Sequence, residues 1–421
     1  MASGTLTRRG FLSQMAAGTA GTAVLAGCAS TGPLVRARPG RVIGANDRIS
    51  IGIIGCGDRG RAALMAEICQ LADRHNVEIT AVCDVWQVNL NRGVADVQKR
   101  FGKTPRTFTR FGELLALDDI DAVTIATPDF AHNAIMNAAL RAGKDVYVEK
   151  PMSLDVHEAN EALDLARASN RVVQVGTQRR SMGQFRAAAK EVATGCLGTV
   201  SRISASQDVN HPRWARSYDD CKAADVDWDA YLFNRPRRAF DPKLLRRWHL
   251  YRMCTNGLAG MWMAHYADSV NMLMGTTYPT SAVAHGGTYI WKDGREIEDT
   301  FHALLDFPEG FLMSWGMGLG NATGTHYTIH GTKATLDAEK WTITTDLPTG
   351  QKGTVETRRI APEPDESHMG NWLTCLRTRG RPNADIEYGH QHAVGTIMAA
   401  AALHTGRRQV YDPKRRQIKA G

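Results

Sequence analysis

The stretch "RISIGIIGCGDRGRAALMAEICQLA" (48–72) constrains the fold more than any other part of the chain. An apolar, β-branched run leads into glycines at 55, 57 and 60, after which Ala, Leu, Met and Ile recur at helical spacing. A strand that turns directly into a helix uses these glycines for different reasons. Gly55 permits the tight turn, Gly57 lets phosphates approach the backbone, and Gly60 lets helix and strand pack closely. The free N–H groups at the helix start then face the phosphates. GxGxxG alone is weak evidence, but here a second strand, "VEITAVCDVW" (77–86), ends in Asp84, 24 residues after Gly60. A carboxylate there accepts from both hydroxyls of an adenosine ribose. It repels a 2′-phosphate, and the neighbouring Val85 and Trp86 offer no cation. The pattern predicts a Rossmann domain that binds NAD, with NADP disfavoured.

The βα alternation continues in "DAVTIATPDFAHNAIMNAALRAGKDVYVEKPMSL" (121–154), which reads as strand, loop, helix and strand. Thr127-Pro128 and Glu149-Lys150-Pro151 fall at carboxyl ends of strands, where doubly wound sheets bind ligands. A lysine at that edge can reach a nicotinamide ribose and a substrate hydroxyl together.

The glycine loop, Asp84, "ATPDFAH" (126–132), "EKP" (149–151) and "VGTQRR" (175–180) together resemble the Gfo/Idh/MocA oxidoreductases, over about residues 48–410. The resemblance implies an α/β chain with an amino-terminal Rossmann dinucleotide-binding domain (48–175). A carboxyl-terminal α+β substrate and oligomerisation domain (176–410), built on a largely antiparallel open-faced sheet, and a basic tail (411–421) would follow. It implies tightly bound NAD, a carbohydrate substrate and a homo-oligomer. The cofactor contacts are then Gly55, Gly57, Asp58, Arg59, Gly60, Asp84, Thr127, Pro128, His132, Glu149, Lys150 and Gln178, with no metal.

The second half supports this. "GTVSRISASQDVN" (198–210), "SAVAHGGTYIW" (281–291), "EDTFHALLDFPEGFLMSWGMGL" (298–319) and "HYTIHGTKATLDAEKWTITTD" (326–346) are strand-like, with turn signals between apolar runs. "CTNGLAGMWMAHYADSVNMLMG" (254–275) has helical spacing and carries His265 and Asp268 in an H-x-x-D pattern. In the resembled family this helix supplies the catalytic histidine, so His265 is the expected base, able to titrate near neutral pH. Lys150 would polarise the same hydroxyl. Many relatives carry aspartate four residues earlier, where this chain has Met261. Asp268 could orient His265 or form an ordinary helix contact. Arginines mixed with aromatics in "DVDWDAYLFNRPRRAFDPKLLRRWHLYR" (225–252) suit a carbohydrate, since rings stack on C–H faces while guanidinium groups hold hydroxyls. Arg179, Trp228, Arg247, Trp248, Tyr251 and His265 are the substrate candidates, and "HPRW" (211–214) could extend their wall.

With 421 residues, 43% of them hydrophobic, the chain can bury two ordinary cores. Its net charge of +8 is scattered and no zinc-finger or RNA-binding signature is present, which argues against nucleic acid. Arg8-Arg9, a mild Gly/Ala run and Leu25-Ala26-Gly27-Cys28 read as a twin-arginine signal (1–28) with a lipobox. Cys28 would carry lipid, 29–47 would be a linker, and that anchor would be the membrane contact. The run is too weakly apolar to span a bilayer. Export in a folded state suits a protein that must carry a cytosolic dinucleotide with it to the periplasm or envelope. None of the eight cysteines forms a CxxC pair; Cys221–Cys254 is a conceivable bridge. Three functions remain open: an oxidoreductase acting on a sugar or glycoside CH–OH, with C3 the expected carbon; a redox-neutral NAD-dependent glycosidase; and a non-catalytic NAD-containing sugar-binding or scaffold protein. Ala264-His265-Tyr266 stands where such glycosidases carry His-Gly.

Overall fold

The computed structural model describes Ile43, Gly44 and residues 47–421. The expected signal, Cys28 and most of the expected linker lie outside the described residues.

Strand β1 (Ile49–Ile54) enters the glycine loop, and a wide π-type turn (Gly60–Met65) continues into α1 (Ala66–His75). The pattern then repeats through β2 (Val77–Cys83), α2 (Gln87–Phe101), β3 (Arg106–Phe108), α3 (Phe111–Leu115), β4 (Ala122–Ile125), α4 (Asp129–Arg141), β5 (Asp145–Val148), α5 (Val156–Ser169) and β6 (Val173–Val175). The six strands pair in parallel in the order β3-β2-β1-β4-β5-β6. Nearly every residue of β1, β4 and β5 is buried, because helices cover both faces and an alternating pattern would put polar groups in a core.

After α6 (Gly183–Ala193) the chain enters a second sheet through β7 (Val200–Asn210). A long excursion with two short helices, α7 (Trp228–Leu232) and α8 (Pro242–Arg246), precedes another π-type turn (Ala259–Met263) and α9 (Ala264–Met274). Strands β8 (Ser281–Gly287), β9 (Thr300–Phe307), β10 (Phe311–Gly318), β11 (Gly320–Gly331), β12 (Ala334–Asp337), β13 (Thr342–Thr345) and β14 (Thr357–Arg359) follow. Every pair in this sheet is antiparallel except β10 with β7. The Pro308-Glu309-Gly310 turn joins β9 to β10 with Gly310 at φ 88°, a left-handed conformation that favours glycine. One face packs on α6 and α9; the other leaves Val283, Leu304 and Leu312 exposed.

Two expectations need correction. The chain leaves the first domain near residue 175, but not for good. Helix α10 (His368–Thr378) returns to it, packing on α1 with Trp372 edge-on to Tyr147, and adds Met369, Leu373 and Leu376 to the core that holds Ile49, Ile51 and Ile53. Residues 411–421 are no solvated tail either. After α11 (Ile386–Thr405), β15 (Gln409–Asp412) and β16 (Gln417–Ala420) close the edge of the second sheet, making it ten-stranded. Arg416 is fixed there by both oxygens of Asp164, each 2.7 Å away. The seven described cysteines are free thiols, Cys221 and Cys254 among them.

Candidate functional site

A cavity of about 700 Å³ opens at the carboxyl ends of the parallel strands and runs beneath the 211–250 excursion to α9. At its floor the three glycines behave differently. Gly55 has φ 92°, and a Cβ there would lie 2.7 Å from the Ala126 carbonyl oxygen. A Cβ on Gly60 would sit 1.8 Å from the Gly55 carbonyl oxygen, so it is contact between helix and turn that demands glycine. At Gly57 a Cβ would meet nothing nearer than Asn89 Nδ2 at 3.7 Å. That opening is the approach a phosphate needs. Asp84 sits at its rim, accepting from the Cys56 N–H at 2.7 Å and the Trp86 N–H at 2.9 Å. Burial pushes its carboxyl up to about 6, against the pull of those two donors. A buried carboxylate with lone pairs to spare beside an open glycine cradle fits the ribose and pyrophosphate of a dinucleotide.

The loops at the strand ends are tied to one another. Arg59 Nε donates to Glu149 Oε1 at 2.7 Å, linking the glycine loop to the end of β5. His132 spans the carbonyl oxygens of Thr127 (2.8 Å) and Pro151 (2.9 Å). From above, Arg216 pairs with Asp58 at 2.9 Å, Arg110 with Asp227 at 3.0 Å, and the Asp227 N–H donates to the Val85 carbonyl at 2.9 Å. The excursion is thus strapped across the cradle.

Lys150 and His265 line the far end together. Lys150 Nζ donates to the Met261 carbonyl oxygen at 2.6 Å. Met261 lies in the π-type turn, and its side chain supplies no carboxylate there. Burial holds the Lys150 ammonium below its ordinary range, with Asp129 and Glu149 opposing. Burial, then the cations Lys150 and Arg179, push His265 well below 6.5, so it stands neutral as a base. Asp268 does not orient it. That carboxylate is bound by Arg180 at 2.7 Å and faces His392 Nδ1 at 3.6 Å. The wall opposite is aromatic: His249 stacks between Trp248 (ring centroids 3.5 Å apart) and Trp214 (5.3 Å), and Arg213 lies 4.9 Å over Trp262.

Two family models match the chain: an oxidoreductase family with an NAD-binding Rossmann fold over residues 49–177, and a GFO/IDH/MocA carboxyl-terminal domain over residues 230–337. The chain belongs to the Gfo/Idh/MocA oxidoreductase family. A glycosyl hydrolase family 109 protein of Shewanella baltica is 33% identical over 171 residues, which are 38% of this chain and 36% of that protein. The chain therefore spans little more than a third of that relative's length. The fold also matches the WlbA dehydrogenase of Bordetella pertussis, solved with NADH and UDP-GlcNAcA (TM-score 0.65, 20% identity, 87% of this chain and 99% of the other). It matches as well the aldose-aldose oxidoreductase of Caulobacter crescentus, complexed with glycerol (TM-score 0.63, 20% identity, 86% and 99%).

Within this Gfo/Idh/MocA oxidoreductase, Gly55, Gly57, Asp58, Arg59, Asp84, Thr127, Pro128, His132, Glu149, Lys150, Gln178, Trp248 and His265 all line the cavity. Gly60 lies beneath it. Three substrate candidates do not reach it. Trp228 stacks on Tyr231 at 4.9 Å and donates to the Arg238 carbonyl. Arg247 donates to the Arg216 carbonyl at 2.6 Å and covers Tyr218. Tyr251 is buried in the core beneath the excursion. These side chains build the strap from below, where apolar packing decides their place. Arg179 faces a separate, smaller cavity. The sequence reading passed over His249, Trp262, Arg216 and Arg246. Arg246 lies 5.0 Å over the Trp86 ring, so a cation does approach the adenosine end, from 160 residues away in sequence.

Proposed function

We propose that this protein is an exported oxidoreductase that holds NAD tightly and oxidises a CH–OH group of a sugar or glycoside, with C3 as the reacting carbon. A bound nicotinamide supplies a hydride acceptor. The observation that carries the reading is the joint placement of Lys150 and neutral His265 at the end of the dinucleotide cradle. His265 takes the hydroxyl proton, and Lys150 stabilises the developing alkoxide, its Nζ aimed by the Met261 carbonyl. The aromatic wall gives a sugar's C–H face a surface to stack on. Asp84 favours NAD over NADP, and the strap supports retention of the cofactor. Arg8-Arg9 and Cys28 support folded export and lipid attachment, and the exposed aliphatic face of the second sheet supports a homo-oligomer.

A second reading, a redox-neutral glycosidase, is favoured by the Shewanella baltica relative. In it the hydride returns after elimination and hydration. Lys150→Met and His265→Asn test the shared first step. Each variant should keep its cofactor and bind sugar, while single-turnover reduction by substrate falls by about two to four orders of magnitude. Unchanged reduction in both would remove Lys150 and His265 from the chemistry, and sugar binding without any cofactor reduction in the wild type would leave the non-catalytic binding function standing.

A further inference from the structure

Beside the main cavity lies a second one of about 220 Å³, lined by Gln178, Arg179, Met182, Gln207, Trp262, His265 and Tyr266. Three of these, Gln178, Trp262 and His265, also line the main cavity, so the two meet at the reacting end. The side cavity has room for roughly seven water volumes. None of its lining residues is acidic.

The Arg179 guanidinium is held by neutral groups. Arg180, the next residue, is buried on Asp268, but Arg179 forms no ion pair among the described residues. It lies 4.1 Å over the Tyr266 ring and 5.3 Å from the Phe185 ring, and it donates to a neutral acceptor, Ser269 Oγ, at 3.4 Å. Glu339, the carboxylate whose field reaches it, is exposed to solvent. Two aromatic faces thus hold a planar donor fork in place by cation–π contact, with no carboxylate bound to it. Such a fork matches a carboxylate bidentately. Tyr266 Oη and Gln207 Oε1, joined at 3.2 Å, leave hydroxyl-binding groups beside it.

The surroundings agree. Of the carboxylates near the reacting end, Glu149 is occupied by Arg59 and Asp129 accepts from Thr255 Oγ1 at 2.7 Å. Lys150, Arg179 and Arg213 face the same region, while Arg216 is paired with Asp58. After burial, the influences pressing His249 and His265 down are cationic neighbours in both cases. An anionic substrate relieves that excess.

We propose that the side cavity is a carboxylate subsite anchored by Arg179, so that the substrate is an acidic sugar, a hexuronate or its glycoside, rather than a neutral one. This rests on the oxidoreductase reading for the reacting end, but the binding it describes can be measured without turnover.

The test uses the holoprotein and matched pairs of methyl glycosides: glucoside with glucuronide, galactoside with galacturonide, mannoside with mannuronide. Calorimetry reads affinity, and absorbance of the bound cofactor reads its reduction. In at least one pair the uronide should bind about 10- to 100-fold more tightly than its neutral partner. Arg179→Gln should abolish that preference by weakening the uronide at least about 10-fold more than its neutral partner, and Arg179→Lys should restore part of it. Equal binding within every pair, or a preference that survives Arg179→Gln, would overturn the subsite. Arg179-dependent uronide binding with no cofactor reduction would support the subsite and remove the oxidoreductase reading. Neutral glycosides bound and oxidised as well as their uronides in every pair would do the reverse.

Discussion

Glu298 anchors the start of the helix that carries His265, and its ionisation should set how stability depends on pH. The side chain is 4% exposed. Its Oε1 accepts from the Leu258 N–H at 2.7 Å, and a Cβ on Gly257 would lie 2.3 Å from the same oxygen. Burial pushes its pKa from 4.5 up to about 7. The folded protein therefore keeps a proton that the unfolded chain has released. The stability this group contributes is complete below its unfolded value of 4.5 and is lost as pH rises through about 7. Between about pH 5 and about pH 8 that loss integrates to about 2.5 kcal/mol. Glu298→Gln keeps a carbonyl acceptor for Leu258 and cannot ionise. Every other titrating group is common to both proteins and cancels in the difference. Urea unfolding of wild type and Glu298→Gln, followed by circular dichroism at both pH values, should show the variant gaining about 2.5 kcal/mol on wild type between them. Parallel pH profiles would refute the burial argument.

Five further outcomes follow from the cavity and its floor. Gly57→Ala should fold normally but copurify with little dinucleotide, whereas Gly60→Ala should lose at least about 3 kcal/mol in thermal unfolding, because its Cβ would overlap the Gly55 oxygen. Arg216→Gln opens the strap over Asp58 and should speed cofactor release at least about tenfold in a dilution and trapping assay. Asp84→Ala should weaken NAD at least about tenfold by calorimetry and narrow its margin over NADP, since Arg246 is already near. Because His265 stays neutral well below 6.5, single-turnover reduction should be level from about pH 6.5 to about pH 8; a rate step centred near 6.5 would contradict the placement of Lys150 and Arg179 around it.

The first domain was legible because each glycine, Asp84 and the "EKP" turn answer to local geometry: a tight turn, a strand end, an edge of the sheet. The fold class and much of the dinucleotide cradle rest on such local patterns. What escaped depends on contacts distant in sequence. Helix α10 reads as any amphipathic segment; only its docking against α1 and Tyr147 shows that it belongs to the first core. Trp228 and Trp248 sit in equally aromatic surroundings, yet one packs on Tyr231 and the other stacks in the cavity wall. Residue type cannot separate them, since the same ring serves either purpose. Met261 illustrates the same point from the other side. As a side chain it reads as a lost carboxylate, but the backbone of its π-type turn presents a carbonyl to Lys150.

The central claim is tested most directly by mass spectrometry of products from neutral and acidic methyl and aryl glycosides. These are incubated with the purified holoprotein in D₂O, with no cofactor added. The account predicts a glycoside short of two hydrogens, with the bound NAD reduced in equal amount. Free sugar carrying carbon-bound deuterium, with NAD unchanged, would contradict it and establish the redox-neutral glycosidase instead.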